Sequence, residues 1–169
     1  MTDGELRYHD QPSVETTVTV DAPAAVVWSL ITDIELPARF SSEFQGATYL
    51  DDTTVPAVGA RFAGRNHHDA IGSWETICTI TELEPERRFG YVVGTPSAPS
   101  SAWRFTLSPA GRGVTLSMWM QMGPAPSGIN MAIDAMPDKE DKILRRRLAE
   151  HRANMDATLQ GIKSVAEAE

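Results

Sequence analysis

One long C-terminal helix is predicted by the stretch "PDKEDKILRRRLAEHRANMDATLQGIKSVAEAE", residues 137–169. Its apolar side chains recur at steps of three and four residues, which is the spacing of a single helical face. This face consists of Leu144, Leu148, His151, Met155, Leu159, Ile162 and Ala166. Pro137 suits the first turn of a helix, and the acidic residues that follow it favour a helix N-terminus. An apolar stripe of this length requires a large partner against which it can be buried.

The rest of the chain offers one such partner, a predicted antiparallel sheet. Residues 14–20 alternate in a strand-like pattern, and two short helices are expected after them in "DAPAAVVWSLITDI" and "LPARFSS". Six strand-like runs then lie between residues 44 and 123, separated by turn clusters such as "SPAGRG". Short connections between sequential strands predict an antiparallel meander. A curved sheet that grips one long helix leaves a space between the two.

Composition restricts the function classes. The chain has 169 residues and a formal net charge of -8, which suits one domain with a buried core and argues against nucleic-acid partners. The basic run Arg145–Arg147 has acidic neighbours and is interpreted as a solvated helix face. A single cysteine, Cys78, no membrane-length apolar run and a polar N-terminus lead us to expect a cytoplasmic protein without membrane insertion. We expect a flexible N-terminal segment at residues 1–12 and a single domain at 13–169.

Four segments resemble, in their order and spacing, the START/SRPBCC superfamily and its bacterial polyketide cyclase/dehydrase-like branch. They are "TVDAPAAVVWSLITDIELPARF", "VGARFAGRN", "WETICTITELEPERRFGYVV" and "WRFTLSPAGRGVTLS". The resemblance spans residues 14–165 and implies an α+β helix-grip fold. In that fold a seven-stranded curved antiparallel sheet wraps around one long C-terminal helix, with two short helices between strands 1 and 2. The resemblance implies an internal cavity but no particular reaction, because the superfamily includes aromatase/cyclases, lipid and hormone binders and co-chaperone activators.

Alternation along the predicted strands assigns one face of the sheet to this cavity. On the last strand, Met118, Met120 and Met122 are expected to face the helix, whereas Trp119 faces outward. The expected ligand-binding residues are Phe40, Phe62, Gly64, Asn66, Trp74, Thr76, Tyr91, Trp103, Phe105, Met118, Met120 and Met155. Thioethers adapt to irregular ligands and flat aromatic side chains suit ring systems, although an ordinary packed core uses the same residue types.

Two histidines, His68 and His151, are the candidates for catalysis. In "FAGRNHHDAIGSWET", residues 62–76, alternation places His68 on the face of Phe62 and His67 on the opposite face. His68 is therefore either a pocket group or a rim residue. His151 lies on the apolar stripe of the long helix and is either a core residue or a polar pocket group. No metal site is expected, because the adjacent histidines do not converge and zinc needs three or four convergent ligands.

Three functions remain open at this point. The first is binding of a small hydrophobic, ring-containing molecule in the cavity, without a cofactor. The second is an aromatase/cyclase or dehydratase, a cofactor-free lyase acting on a polyketide-like chain. The third is a co-chaperone-like module that uses the surface around Trp119, an outward residue that is also compatible with a homodimer. The segment "GPAPSGINMAIDAMPDK" is expected to be either a connector or a mobile flap over the pocket mouth.

Overall fold

The computed structural model describes residues 4–169, which form one antiparallel sheet and three α-helices. The strands are β1 Ser13–Val20, β2 Phe44–Tyr49, β3 Arg61–His68, β4 Gly72–Glu84, β5 Arg88–Thr95, β6 Ala98–Ala110 and β7 Gly113–Met122. The helices are α1 Ala24–Ile31, α2 Ile129–Ala135 and α3 Glu140–Glu167. Short 3-10 helices lie at Tyr8–Asp10, Leu36–Arg39 and Pro137–Lys139.

The sheet has the strand order β1-β7-β6-β5-β4-β3-β2. Each strand from β2 to β6 therefore pairs with the next one along the chain, and β1 pairs with β7. The two predicted short helices between strands 1 and 2 are α1 and the 3-10 helix Leu36–Arg39. The predicted helix-grip fold, with seven antiparallel strands around one long C-terminal helix, is confirmed.

The core lies between the inner face of the sheet and α3. On β7, the predicted inward residues Val114, Leu116, Met118, Met120 and Met122 are all buried. On α3, the buried face comprises Leu144, Met155, Thr158, Leu159, Ile162 and Ala166. This agrees with the predicted apolar stripe and adds a threonine, whose hydroxyl donates to the Asn154 carbonyl oxygen at 2.8 Å and so needs no other partner.

The segment before β1 differs from the flexible segment that we predicted for residues 1–12. The Leu6 N–H donates to Asp141 Oδ1 at 2.6 Å, and the Tyr8 N–H donates to Glu140 Oε1 at 2.8 Å. Tyr8 is buried, and its hydroxyl donates to the Ala125 carbonyl oxygen at 2.7 Å. Residues 4–12 are thus attached to the first turn of α3, because its acidic side chains accept main-chain hydrogen bonds. Residues 1–3 lie outside the described residues.

The two edges of the sheet are β1 and β2. On β1, the Thr19 carbonyl oxygen accepts a hydrogen bond from Lys163 Nζ at 2.7 Å. On β2, the pairing with β3 shifts register between Phe44 and Gly46, where the strand bulges. No helix within residues 4–169 has the length and hydropathy needed to cross a bilayer.

Phe40 packs against α3 and is not part of the cavity wall, which corrects its assignment as a ligand-binding residue. A Cβ atom added to Gly161 would lie 2.3 Å from Cδ1 of the Phe40 ring. The ring therefore occupies the space that this glycine leaves on the helix. The contact attaches the segment after α1 to the C-terminal part of α3.

This close contact predicts an unusual response to Gly161→Ala. The substitution should lower the free energy of unfolding by about 1–3 kcal/mol, because the new methyl group must displace the Phe40 ring. In a Phe40→Ala background the same substitution should instead stabilise by about 1 kcal/mol, the ordinary gain in helix propensity. Urea unfolding of the four proteins measures both values. A stabilising effect in the wild-type background would contradict the proposed contact.

Candidate functional site

A cavity of about 650 Å³ lies between the inner face of the sheet and α3. Most of the predicted ligand-binding residues line it: Phe62, Asn66, Trp74, Thr76, Tyr91, Trp103, Phe105, Met118, Met120 and Met155. Alternation positions these side chains, because each strand presents every second residue to the interior. The register of β3 against β4 also agrees with the predicted faces, with Phe62 opposite Cys78 and Asn66 opposite Trp74.

Gly64 is not part of the cavity wall, although we predicted it there. A Cβ atom at this position would lie 3.3 Å from Cε2 of Phe44 and 3.2 Å from Oγ1 of Thr76. Phe44, which lines the cavity, therefore occupies the space that the glycine leaves. Alternation identified the inward face correctly but could not show which neighbouring ring would fill the gap.

Aromatic rings follow one another along the wall. Phe62 and Tyr91 meet edge to face, with ring centroids 5.2 Å apart. Tyr91 on β5 pairs directly with Trp103 on β6, and the Trp103 ring meets the His151 imidazole edge to face at 5.3 Å. Edge-to-face contacts of this kind are favourable arrangements of aromatic rings. These ring contacts connect the sheet to α3, and His151 is the ring that the helix contributes.

His151 lines the cavity from α3 and has no hydrogen-bond partner among residues 4–169. Burial, reinforced by the positive charge of Arg147 and opposed by Glu43, lowers the pKa of His151 to about 4. The imidazole is therefore neutral at pH 7, with one nitrogen as donor and the other as acceptor. A general base works best with a pKa near the working pH, so this group is better suited to hydrogen bonding than to proton abstraction.

His68, the other candidate catalytic residue, is not part of the cavity wall. Its Nε2 lies 2.7 Å from Glu150 Oε2 on α3, and its Nδ1 accepts the Ala70 N–H at 3.0 Å. Because Nδ1 is an acceptor, the neutral ring carries its proton on Nε2, and this N–H donates a hydrogen bond to Glu150. The structure does not bring His68 and His151 together on the cavity surface. His67 points to the other face, where its Nδ1 lies 2.9 Å from Ser73 Oγ.

A charged cluster beside the cavity corrects our interpretation of Arg145–Arg147 as a solvated face. Arg147 is largely buried and donates to both carboxylate oxygens of Glu43, at 2.8 and 2.5 Å, and to Glu150 at 3.0 Å. Burial disfavours its charge, but the hydrogen bonds and attraction of the two carboxylates outweigh this, and the pKa of Arg147 is raised. Arg146, in contrast, has 82% of its side chain exposed. A run of three arginines gives no local signal of which one turns inward.

Two further ionisable groups in the wall stay protonated. Burial, slightly opposed by a contact with Thr76, raises the pKa of Cys78 to about 12. Burial and the neighbouring Cys78 raise the pKa of Tyr91 far above its usual range. The Tyr91 hydroxyl has no hydrogen-bond partner in the described part of the chain. From Gly4 onward, no group of three or more His, Cys, Asp or Glu side chains is placed to hold a metal ion.

The segment between β7 and α3 covers one end of the cavity. It contains the short helix α2, which we had not predicted, and Ile129 and Ala132 of that helix line the cavity. Ile71, in the turn between β3 and β4, also lines it and is 60% exposed. The mouth is therefore bordered by apolar side chains. The four-residue spacing of Ile129 and Ile133 was the available signal for α2.

The buried ion pair predicts that substitution of Arg147 lowers stability far more than substitution of its neighbour Arg146. Arg147→Met should lower the free energy of unfolding by about 3–5 kcal/mol, because it leaves Glu43 buried without its cation. Adding Glu43→Met should recover most of this loss. The exposed control, Arg146→Met, should change stability by less than about 1 kcal/mol. Urea unfolding measures all four proteins, and equal losses from Arg146→Met and Arg147→Met would refute the assignment.

The lowered pKa of His151 predicts a loss of stability in mild acid. The unfolded chain binds this proton at about pH 6.5, whereas the folded protein resists it until about pH 4. Stability that is present at pH 7 is therefore lost as the pH falls through this window. Between pH 7 and pH 5, wild type should lose about 2 kcal/mol more unfolding free energy than His151→Leu. Parallel losses in the two proteins would show that His151 titrates normally.

Several solved structures of other proteins share this fold. The di-domain ARO/CYC BexL from the BE-7585A biosynthetic pathway is 19% identical, with a TM-score of 0.70, and the match covers 96% of this chain but 52% of that one. Ara h 8.0201 is 11% identical, with a TM-score of 0.58 and coverage of 94% and 99%. At such low identity these two similarities show a common fold only. No curated protein sequence matches the chain significantly.

A closer similarity and a family model agree with each other. The solution structure of the Polyketide_cyc-like protein Cgl2372 from Corynebacterium glutamicum is 27% identical, with a TM-score of 0.63, and the match covers 92% of this chain and 91% of that one. The family model described as "Polyketide cyclase / dehydrase and lipid transport" matches residues 11–167. Because this match extends from the turn before β1 to the last residue of α3, the chain belongs to that family, within the START/SRPBCC superfamily.

Proposed function

We propose that this protein binds a small hydrophobic, ring-containing molecule in the cavity between the sheet and α3. The observation that carries the proposal is the cavity of about 650 Å³, whose wall combines methionine with aromatic side chains. Ligand pockets in proteins have volumes of roughly 300–1,000 Å³ and are mostly apolar with a few polar groups. Membership of a family described by both cyclase/dehydrase activity and lipid transport supports a ligand of this kind.

The chemistry of the wall favours a flat ligand. Met118, Met120 and Met155 supply flexible thioether side chains that adapt to an irregular outline. Tyr91 and Trp103 supply rigid aromatic surface on the neighbouring strands β5 and β6. Burying apolar ligand surface here contributes roughly 25 cal/mol for each Å² removed from water. Binding of this type requires no cofactor.

Binding is better supported than the cyclase or dehydratase alternative. That reaction needs polar groups that converge on the substrate, and His68 hydrogen-bonds Glu150 away from the cavity wall. His151 remains in the cavity, but its low pKa makes it a weak base at neutral pH. Of the two catalytic residues that the sequence suggested, only His151 therefore lines the cavity.

The interaction-module alternative depended on Trp119, which faces outward on β7 as expected. The guanidinium of Arg104 lies over the Trp119 ring, 4.8 Å from its centroid, and is held there by Glu82 at 2.6 Å. This cover reduces the apolar surface available to a partner. The homodimer suggested by Trp119 stays a prediction, and sedimentation of the purified protein measures it.

Filling the cavity tests the proposed function. Val93 lines the cavity, whereas its neighbour Val92 does not and is presented to the outer face of β5. We expect Val93→Trp to weaken binding of a bicyclic aromatic probe, 2-naphthol, by about tenfold or more, because the indole takes the ligand's space. Val92→Trp should bind as wild type does. Equilibrium dialysis gives the Kd values, and native mass spectrometry of the freshly purified protein identifies any ligand already bound.

The outcomes separate the alternatives. Equal weakening by Val92→Trp and Val93→Trp, or no binding of aromatic probes at all, would overturn the proposal. Chemical conversion of a bound polyketide-like compound that His151→Leu abolishes would support the lyase instead. Thermal unfolding of both valine variants must show that each is folded before their affinities are compared.

A further inference from the structure

Two polar side chains face the cavity without a hydrogen-bond partner among the described residues, the Tyr91 hydroxyl and the His151 imidazole. Other polar groups of the wall are engaged elsewhere. The Trp103 Nε1–H donates to Ser101 Oγ at 3.1 Å, and Asn154 Oδ1 accepts from the Ser42 N–H at 2.8 Å. Both groups border the open space of the cavity, where a ligand or water can complete their hydrogen bonds.

The two groups belong to residues that neighbour the same tryptophan. Tyr91 is the direct cross-strand neighbour of Trp103, and His151 touches the Trp103 ring at 5.3 Å. A ring system packed against Trp103 therefore lies near both a hydroxyl group and an imidazole. Neutral imidazole both donates and accepts, whereas the protonated Tyr91 hydroxyl donates and can also accept.

The charges at the cavity are already compensated. Three charged side chains border it, Asp33, Glu43 and Arg147. Arg147 donates to both oxygens of Glu43 and to Glu150, so two carboxylates already balance its positive charge. Glu43 is equally engaged, and Asp33 is exposed, with its Oδ1 accepting the Glu35 N–H at 3.0 Å. A ligand charge placed at Tyr91 and His151, which are both uncharged, would lose its hydration without meeting an opposite charge, which is unfavourable.

We propose that the cavity selects uncharged ring compounds carrying a hydroxyl or carbonyl group, which Tyr91 and His151 hydrogen-bond beside Trp103. This inference rests on the proposed function and adds the polarity of the ligand to it. A bare hydrocarbon fills the space but leaves both groups without partners. A carboxylate or an ammonium group at the position of the hydroxyl loses its hydration and gains no counter-ion from Tyr91 or His151. A phenol or a ketone can hydrogen-bond Tyr91 or His151 without the penalty of burying a charge.

Four probes with the same ring system test this selection: naphthalene, 2-naphthol, 2-naphthoate and 2-naphthylmethylammonium. Equilibrium dialysis at pH 7 should give the lowest Kd for 2-naphthol, with naphthalene about tenfold weaker because it makes no hydrogen bond. Both charged probes should bind more weakly than naphthalene. Tyr91→Phe and His151→Leu should each reduce the preference for 2-naphthol over naphthalene, and the double variant should abolish it.

Binding of naphthalene by the variants serves as the internal control, because it depends on the cavity and not on the two polar groups. A variant that keeps wild-type affinity for naphthalene but loses the preference for 2-naphthol supports the assignment. Equal affinity of the wild type for naphthalene and 2-naphthol, or tightest binding of 2-naphthoate, would overturn the inference while leaving the cavity function intact. Failure of all four probes to bind the wild type would overturn both proposals.

Discussion

Burial of one face of α3 is the constraint on which the rest of the structure depends. The helix has 28 residues, and its closest contacts with the sheet are made to β1. A straight helix cannot lie equally close to every strand of a curved sheet. Tight packing along β1 therefore leaves a space opposite β3 to β7, and that space is the cavity. The cavity thus results from the position of α3 relative to the curved sheet. Its lining residues therefore come from many elements.

Polar contacts hold the side of α3 that lies next to the start of β2 and the end of β3. Arg147 bonds Glu43 just before β2, Asn154 accepts from Ser42, and Glu150 accepts from His68 at the end of β3. Apolar side chains between α3 and the sheet would fill the cavity. Here long charged side chains connect α3 to the sheet at the cavity's edge and leave the interior open. The pairing also neutralises charge beside an apolar space, so the interior stays suited to uncharged molecules.

Periodicity predicted the faces of individual elements well. The alternation of β7 and the stripe of α3 each report burial directly, because a side chain's direction follows from its position in a regular element. Contacts between distant parts of the chain leave no such signal. The fit of Phe40 against Gly161, the inward turn of Arg147 and the attachment of Tyr8 beside Ala125 all join residues far apart in sequence. Each depends on three-dimensional packing, and each was misread or missed for that reason.

The edges of the sheet bear on how the protein behaves at high concentration. An open edge strand offers unpaired main-chain groups to another molecule and can start aggregation. Here Lys163 occupies the Thr19 carbonyl on β1, and the other edge, β2, is short and bulged between Phe44 and Gly46. Both edges are thereby poor templates for an added strand. Both features disfavour self-association by extension of the sheet.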